Sequence, residues 1–250
     1  MNRTDVKRAS SRIAKRLAPL IKGWLGWTIF AITAYVGGMY LTIGIILVLS
    51  HLGLFVGIDA TNYALLTRIL MYVVLATLMI MLPAWLRQRP SRKEIGIERL
   101  MQWKDIGIGI AGLILYLLFA MGALAILKLI PGVDGNQAQQ LDVGSVYGFS
   151  RMIVFVVLVI VTPFMEELLF RGLLYGGLRA RRLPVWASAL IVSVLFGIAH
   201  GQLNVGVDVF CLSIVACYAR ELTGSIWAGV VLHMIKNFIA FAIVFLVNQG

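Results

Sequence analysis

Glu166 and Glu167 stand side by side, with Arg171 four residues on, at the end of an apolar run from Met152 to Met165 that only Thr162 and Pro163 interrupt. An ionisable side chain at the centre of a bilayer costs about 2.5–3.5 kcal/mol on insertion scales, so acids placed there mark a functional site by default. On a helix, Glu167 and Arg171 are i,i+4 neighbours with the acid on the N-terminal side, the orientation in which the two neutralise each other best. Glu166 points about 100° away from that pair and finds no equally good local partner. A carboxylate so placed suits general-base or general-acid work.

Two further polar pairs follow: Phe196 with His200, and His233 with Asn237. In each pair the residues are one helical turn apart and share a face. Imidazole and carboxamide on one face can donate to a developing oxyanion; they can equally form a helix–helix hydrogen bond. A lone histidine such as His200 is more often a hydrogen-bonded core residue than a base, so it gains meaning only beside Glu166. Lys236 sits at the edge of the His233 face and either snorkels to the headgroups or pairs with an acid. Asp208 reads as a helix-end residue outside the site. Counting 1.5 Å per residue puts Glu166 and His200 at similar depth, roughly 18 and 20 Å from the cytoplasmic ends of their segments, but His233 at only roughly 10 Å.

Such residues need helices to hold them. Seven hydrophobic segments lie near 24–50, 69–86, 106–129, 152–178, 186–202, 206–219 and 226–247. A span needs about 20 residues, so the fifth and sixth are short, and the turn from Gly201 to Asn204 between them is expected inside the protein. The fold class expected is an all-α polytopic transmembrane helix bundle of about seven membrane helices, within a range of six to eight. Residues 1–22 form a basic cytoplasmic or interfacial segment. Its interleaved Val6, Ile13, Leu17 and Leu20 suit an amphipathic helix on an anionic leaflet; a solvated tail that sets topology fits equally well. Residues 23–130 read as accessory membrane helices and 150–248 as the catalytic core, because ionisable groups inside segments concentrate in the last four.

Composition agrees. Of 250 residues, 60% are hydrophobic and 13% charged, with a mean hydropathy of +0.93, against about 25% charged for a soluble domain. The net charge of +11 is clustered at segment ends: seven basic residues between Arg3 and Lys22, six between Arg87 and Lys104, then Arg179, Arg181 and Arg182. That is the pattern of positive-inside topology, with the N-terminus cytoplasmic, and it argues against nucleic acid as partner. Lys128, at an outer end, is a mild exception. Cys211 and Cys217 are six apart, on different faces of a helix, so a disulfide is not expected.

Glu166-Glu167-x-x-x-Arg171, Phe196-x-x-x-His200 and His233-x-x-x-Asn237, in this order on hydrophobic helices, resemble the three motifs of the CPBP family, the type II CAAX-prenyl-protease-like or Abi intramembrane proteases. Leu222-Thr-Gly-Ser-Ile-Trp227, leading into His233, is similar to the family's approach to its last motif. The resemblance covers about residues 150–245. It implies a helix bundle with a polar chamber open to the cytoplasmic side and partly to lipid, and hydrolysis of peptide bonds in membrane-associated peptide or protein substrates, prenylated CAAX-type or bacterial. It implies that Glu166 activates water with the help of His200, that His233 and Asn237 stabilise the oxyanion, and that Glu167, Arg171 and Phe196 shape the site. Family members are often described as metalloproteases. Glu166, His200 and His233 would be the zinc set here, but His-Glu-x-x-His is absent and a metal-independent glutamate mechanism is favoured. Nothing in the sequence shows a prenyl-binding groove.

Membrane lipids are the other expected partner, in a multi-pass protein of, by expectation, a bacterial cytoplasmic membrane. Two alternatives stand beside the endopeptidase: a non-catalytic membrane scaffold or bacteriocin-immunity protein, and a small proton-coupled transporter. The transporter lacks the internal repeats and broken helices usual in that class.

Overall fold

A computed structural model describes the backbone of residues 3–131 and 149–247; Asp134 and Asp142, expected in an outer loop, lie outside them. The regular structure of the described residues is helical throughout. Helix α1 (Arg3–Leu17) runs through a 3-10 turn (Ala18–Ile21) toward α2 (Trp24–His51). Then come α3 (Ala60–Trp85), the single turn α4 (Arg92–Ile95) and α5 (Trp103–Leu127). Helix α6 (Arg151–Ala180) carries the two acids, and α7 (Val185–Ile198), α8 (Leu203–Thr223) and α9 (Trp227–Ala242) follow.

Six of these helices, α2, α3, α5, α6, α8 and α9, are long and apolar enough to cross a membrane, and the protein is an integral multi-pass membrane protein. The seven expected segments become six spans and one short helix. Helix α7 has 14 residues, about 21 Å at 1.5 Å per residue, against a hydrocarbon core of about 30 Å. The sixth segment is not short, because α8 extends polar turns at both ends to reach 21 residues. The second begins at Ala60 rather than 69: Asp59 accepts the backbone N–H of Asn62 at 3.0 Å, an N-cap that satisfies a helix-end donor and draws Arg68 into the span. In the α7–α8 turn, Gly201 and Leu203 are exposed and Gln202 and Asn204 half-buried, so it is not enclosed as expected.

The polar helices sit at the centre. Burial within the best spanning window is 61% for α8 and 44% for α6, against 17–22% for α2, α3 and α5. The outer faces of those three carry exposed Leu47, Val73 and Met121, as contact with lipid tails requires. Helices α7 and α8 cross closely at Gly197 and Gly206; a Cβ on either would meet the other's carbonyl oxygen at 2.8–3.0 Å. Small residues let membrane helices approach in this way, and the crossing lies one turn before His200.

Helix α6 departs from regular winding on both sides of the acids. Val156–Val161 and Leu168–Tyr175 are π-helical. Thr162 donates its N–H to Val157, five residues back. In that register the next carbonyl, that of Leu158, faces Pro163, which has no N–H to give. Wide turns of this kind often mark functional sites, and the one following the acids draws them toward the basic end, because each turn holds more residues than α-helical counting allows.

Candidate active site

Glu166 and Glu167 leave α6 in different directions and meet different partners. Glu167 is fully buried and forms an ion pair with Arg171 at 2.9 Å, as the i,i+4 spacing predicts. The Glu167 Oε1 atom also lies 3.2 Å from His233 Nδ1. The Arg171 guanidinium, equally buried, stacks on the Phe196 ring at 4.5 Å. Phe196 in turn meets His200 edge-to-face at 4.8 Å and His233 at 6.0 Å. One buried aromatic ring thus holds the arginine and both histidines in register.

Glu166 is only slightly exposed, and it is not without a partner as its helical position suggests. Tyr72 of α3 donates its hydroxyl hydrogen bond to Glu166 Oε1 at 2.5 Å, and His233 Nε2 lies 3.7 Å from Glu166 Oε2. That second distance is too long for a hydrogen bond. The tautomers follow from the partners. His200 Nδ1 donates to the Phe196 carbonyl at 2.8 Å, and His233 Nδ1 donates to Glu167. With Nδ1 so engaged, Nε2 is the nitrogen that each ring leaves for other partners. Asn237 donates Nδ2–H to the Leu158 carbonyl at 2.9 Å, the acceptor that the π-turn and Pro163 leave over; its second amide hydrogen is uncommitted.

These groups line one cavity of about 380 Å³, whose walls include Glu166, His200, His233, Asn237, Tyr72 and Thr162. His233 lies level with Glu166 despite the helical count, 3.7 Å away, and the π winding after the acids accounts for part of the difference. Asp208 lies outside the lining; it accepts from Tyr116 at 2.6 Å and pairs with Lys236 at 3.5 Å. Sequence spacing does not reveal Tyr72 or Gly229. The signal for Tyr72 is its i,i+4 relation to Arg68 inside an apolar helix, a polar face with a reason to exist. Arg68 also lines the cavity. At Gly229, one turn before His233, a Cβ would sit 2.5 Å from Glu167 Oε2.

This arrangement coincides with a known family. Residues 148–239 match the family described as type II CAAX prenyl endopeptidase Rce1-like. That segment is similar to the members of that family. An uncharacterized 24.3 kDa protein of Escherichia coli is 37% identical over 79 residues, 30% of this chain and 36% of that protein. The chain therefore spans about a third of the length of this curated relative. No solved structure matches it.

Zinc does not fit the candidate site as folded. Among the described residues no three His, Cys, Asp or Glu side chains converge on a position that could hold a metal ion. Cys211 and Cys217 are buried free thiols. The cavity also runs in an unexpected direction. From Glu166 its lining passes Asn237 and reaches Arg68, Gln202 and Phe245. Those residues lie toward the bundle end away from Arg87 and Arg179–Arg182, whereas opening at the basic end is expected from the resemblance. The reason is local: buried Glu167, Arg171 and Phe196 fill the helix bundle on the basic side of Glu166.

Proposed function

We propose that this protein is an intramembrane endopeptidase that hydrolyses a peptide bond in membrane-associated substrates, using Glu166 as general base. The observation that carries the reading is the convergence of Glu166, His200 and His233 on one cavity within the helix bundle. The Rce1-like match supports the same class of reaction.

Water held between the Glu166 carboxylate and His200 Nε2 loses its proton to Glu166 as its oxygen attacks the scissile carbonyl. Tyr72 holds Glu166 in one rotamer from outside the family-matched segment. His233 Nε2 takes the proton from Glu166 and passes it to the amine nitrogen as the C–N bond breaks, while Glu167 fixes its ring through Nδ1, as an orienting carboxylate does in other acid–base pairs. The free amide hydrogen of Asn237 donates to the oxyanion. Burial of Glu167 and Arg171 strengthens each of these interactions by excluding bulk water. No step runs through a metal ion. The positive-inside pattern supports a cytoplasmic N-terminus, and in that orientation the cavity's far end, at Arg68 and Gln202, faces the opposite leaflet.

The test is cleavage of prenylated and unprenylated membrane-delivered peptides by purified protein, each with and without a chelator. Wild type is expected to cleave, and Glu166→Gln and His200→Ala to lose cleavage while remaining folded. Cleavage that survives in Glu166→Gln removes the glutamate base from the account. Absence of cleavage in every peptide, with both variants still active in cells, favours the scaffold.

A further inference from the structure

A second cavity lies at the basic end of the bundle, distant from the acids. It encloses about 710 Å³ between α1, the start of α2, the end of α3 and the end of α6. Its walls present Lys7, Lys15, Lys22, Arg87, Arg89 and Arg181, with Glu94 the one acid among them. Glu94 is already engaged: its side chain accepts the Ser91 N–H in a capping box. None of these cations has a carboxylate within ion-pair distance among the described residues, and Arg181 donates instead to the Ile21 and Gly177 carbonyls and to Gln88. Six positive charges facing one space repel one another; positive-inside topology accounts for the leaflet they occupy but not for their convergence on one cavity, where an anion would relieve the repulsion.

The cavity is built rather than incidental. Trp85 Nε1 donates to Ser10 Oγ at 2.9 Å, Gln88 Nε2 to the Ala18 carbonyl at 2.7 Å, and Arg181 Nε to the Ile21 carbonyl at 2.9 Å. These three bonds pin α1 and its 3-10 turn across the ends of α3 and α6. Arg181 lies over the Trp27 ring at 4.1 Å. Burial lowers its pKa from the usual arginine value, with Glu94 opposing that shift. Trp24 and Trp85 are half-exposed at the same level, and Val6, Ile13, Leu17 and Leu20 of the α1 segment are exposed. Interfacial tryptophans and outward apolar side chains on a basic helix place the cavity at headgroup height. Basic pockets between membrane helices at that height suit phosphate-bearing headgroups.

We propose that this cavity binds a phosphate group, carried by an anionic phospholipid headgroup or by a soluble phosphate or diphosphate, and that the bound anion anchors α1 to the bundle. The proposal is independent of the peptidase reading.

The experiment is thermal unfolding of the purified full chain in detergent, titrated separately with phosphatidylglycerol, phosphatidylcholine and inorganic diphosphate. Wild type is compared with Lys15→Gln/Lys22→Gln/Arg89→Gln and with the charge-keeping Lys15→Arg/Lys22→Arg/Arg89→Lys. Phosphatidylglycerol or diphosphate raises the melting temperature of wild type and of the charge-keeping variant by about 2–4 °C or more. The glutamine variant shows no such rise, and without ligand it melts no lower than wild type because mutual repulsion is relieved. A rise with the lipid alone assigns a headgroup, and a rise with diphosphate alone a soluble anion. No rise in wild type with either, an equal rise with phosphatidylcholine, or an equal rise in the glutamine variant overturns the proposal.

Discussion

Replacing Gly229 by alanine is the sharpest test of how the site is held. The added Cβ lies 2.5 Å from Glu167 Oε2 and 3.4 Å from Ala216 Cβ. The second contact is ordinary van der Waals distance, and the first is not. To restore normal contact the carboxylate or α9 must shift by roughly 0.5–0.9 Å, a displacement of the size that costs about 10²-fold in rate when it reaches reacting groups. Glu167 has little room to give, since its other oxygen is held by Arg171 at 2.9 Å and faces His233 Nδ1 at 3.2 Å. Moving α9 instead carries His233 away from Glu166. We expect Gly229→Ala to lower kcat for peptide cleavage about 30- to 100-fold. Overpacking should also cost about 1–3 kcal/mol of stability. Shortening the acid in Glu167→Asp/Gly229→Ala relieves the clash, so the double variant is expected to be more stable than the alanine variant alone. Gly229→Ala with wild-type melting temperature and kcat within about threefold of wild type refutes the claim that Glu167 couples α6 to His233.

Further outcomes follow from the same contacts. Tyr72→Phe removes the hydrogen bond to Glu166; a bond to a charged group contributes about 1.5 kcal/mol or more, so kcat is expected to fall about tenfold with the fold intact by circular dichroism. Asn237→Ala leaves the Leu158 carbonyl without its side-chain donor and is expected to cost about 1–3 kcal/mol, seen as a lower melting temperature, in addition to lost cleavage. Chelator treatment is expected to leave cleavage unchanged, because no three metal-ligating side chains converge; loss that added zinc restores would contradict that.

Much of the architecture is legible in the residue pattern. Long apolar runs bounded by arginine and lysine identify the spans, and the i,i+4 spacing identifies the Glu167–Arg171 pair. That Glu166, Phe196, His200, His233 and Asn237 come together at one cavity, with Glu167 and Arg171 packed beside it, follows from three motifs on or at the end of the apolar helices α6, α7 and α9. What escapes is whatever breaks local periodicity or spans distance. The π turns of α6 depend on Pro163 and on packing, and no periodic signal announces them, so helical counting puts Glu166 and His233 at different depths. Tyr72 meets Glu166 across 94 positions, and a single tyrosine in an apolar run does not name its partner. Gly229 matters through the absence of a side chain beside a residue of another helix. The direction of the cavity depends on which side Arg171 and Phe196 fill, which emerges only when the helices are assembled.

The central claim is that Glu166 drives water onto a peptide bond. It is tested most directly by running the cleavage reaction in water enriched in oxygen-18 and weighing the N-terminal product. The account predicts one heavy oxygen in each newly formed carboxylate with wild-type protein, and no product with folded Glu166→Gln. Product formed by Glu166→Gln at the wild-type rate, or wild-type product whose new terminus carries no solvent oxygen, would contradict it.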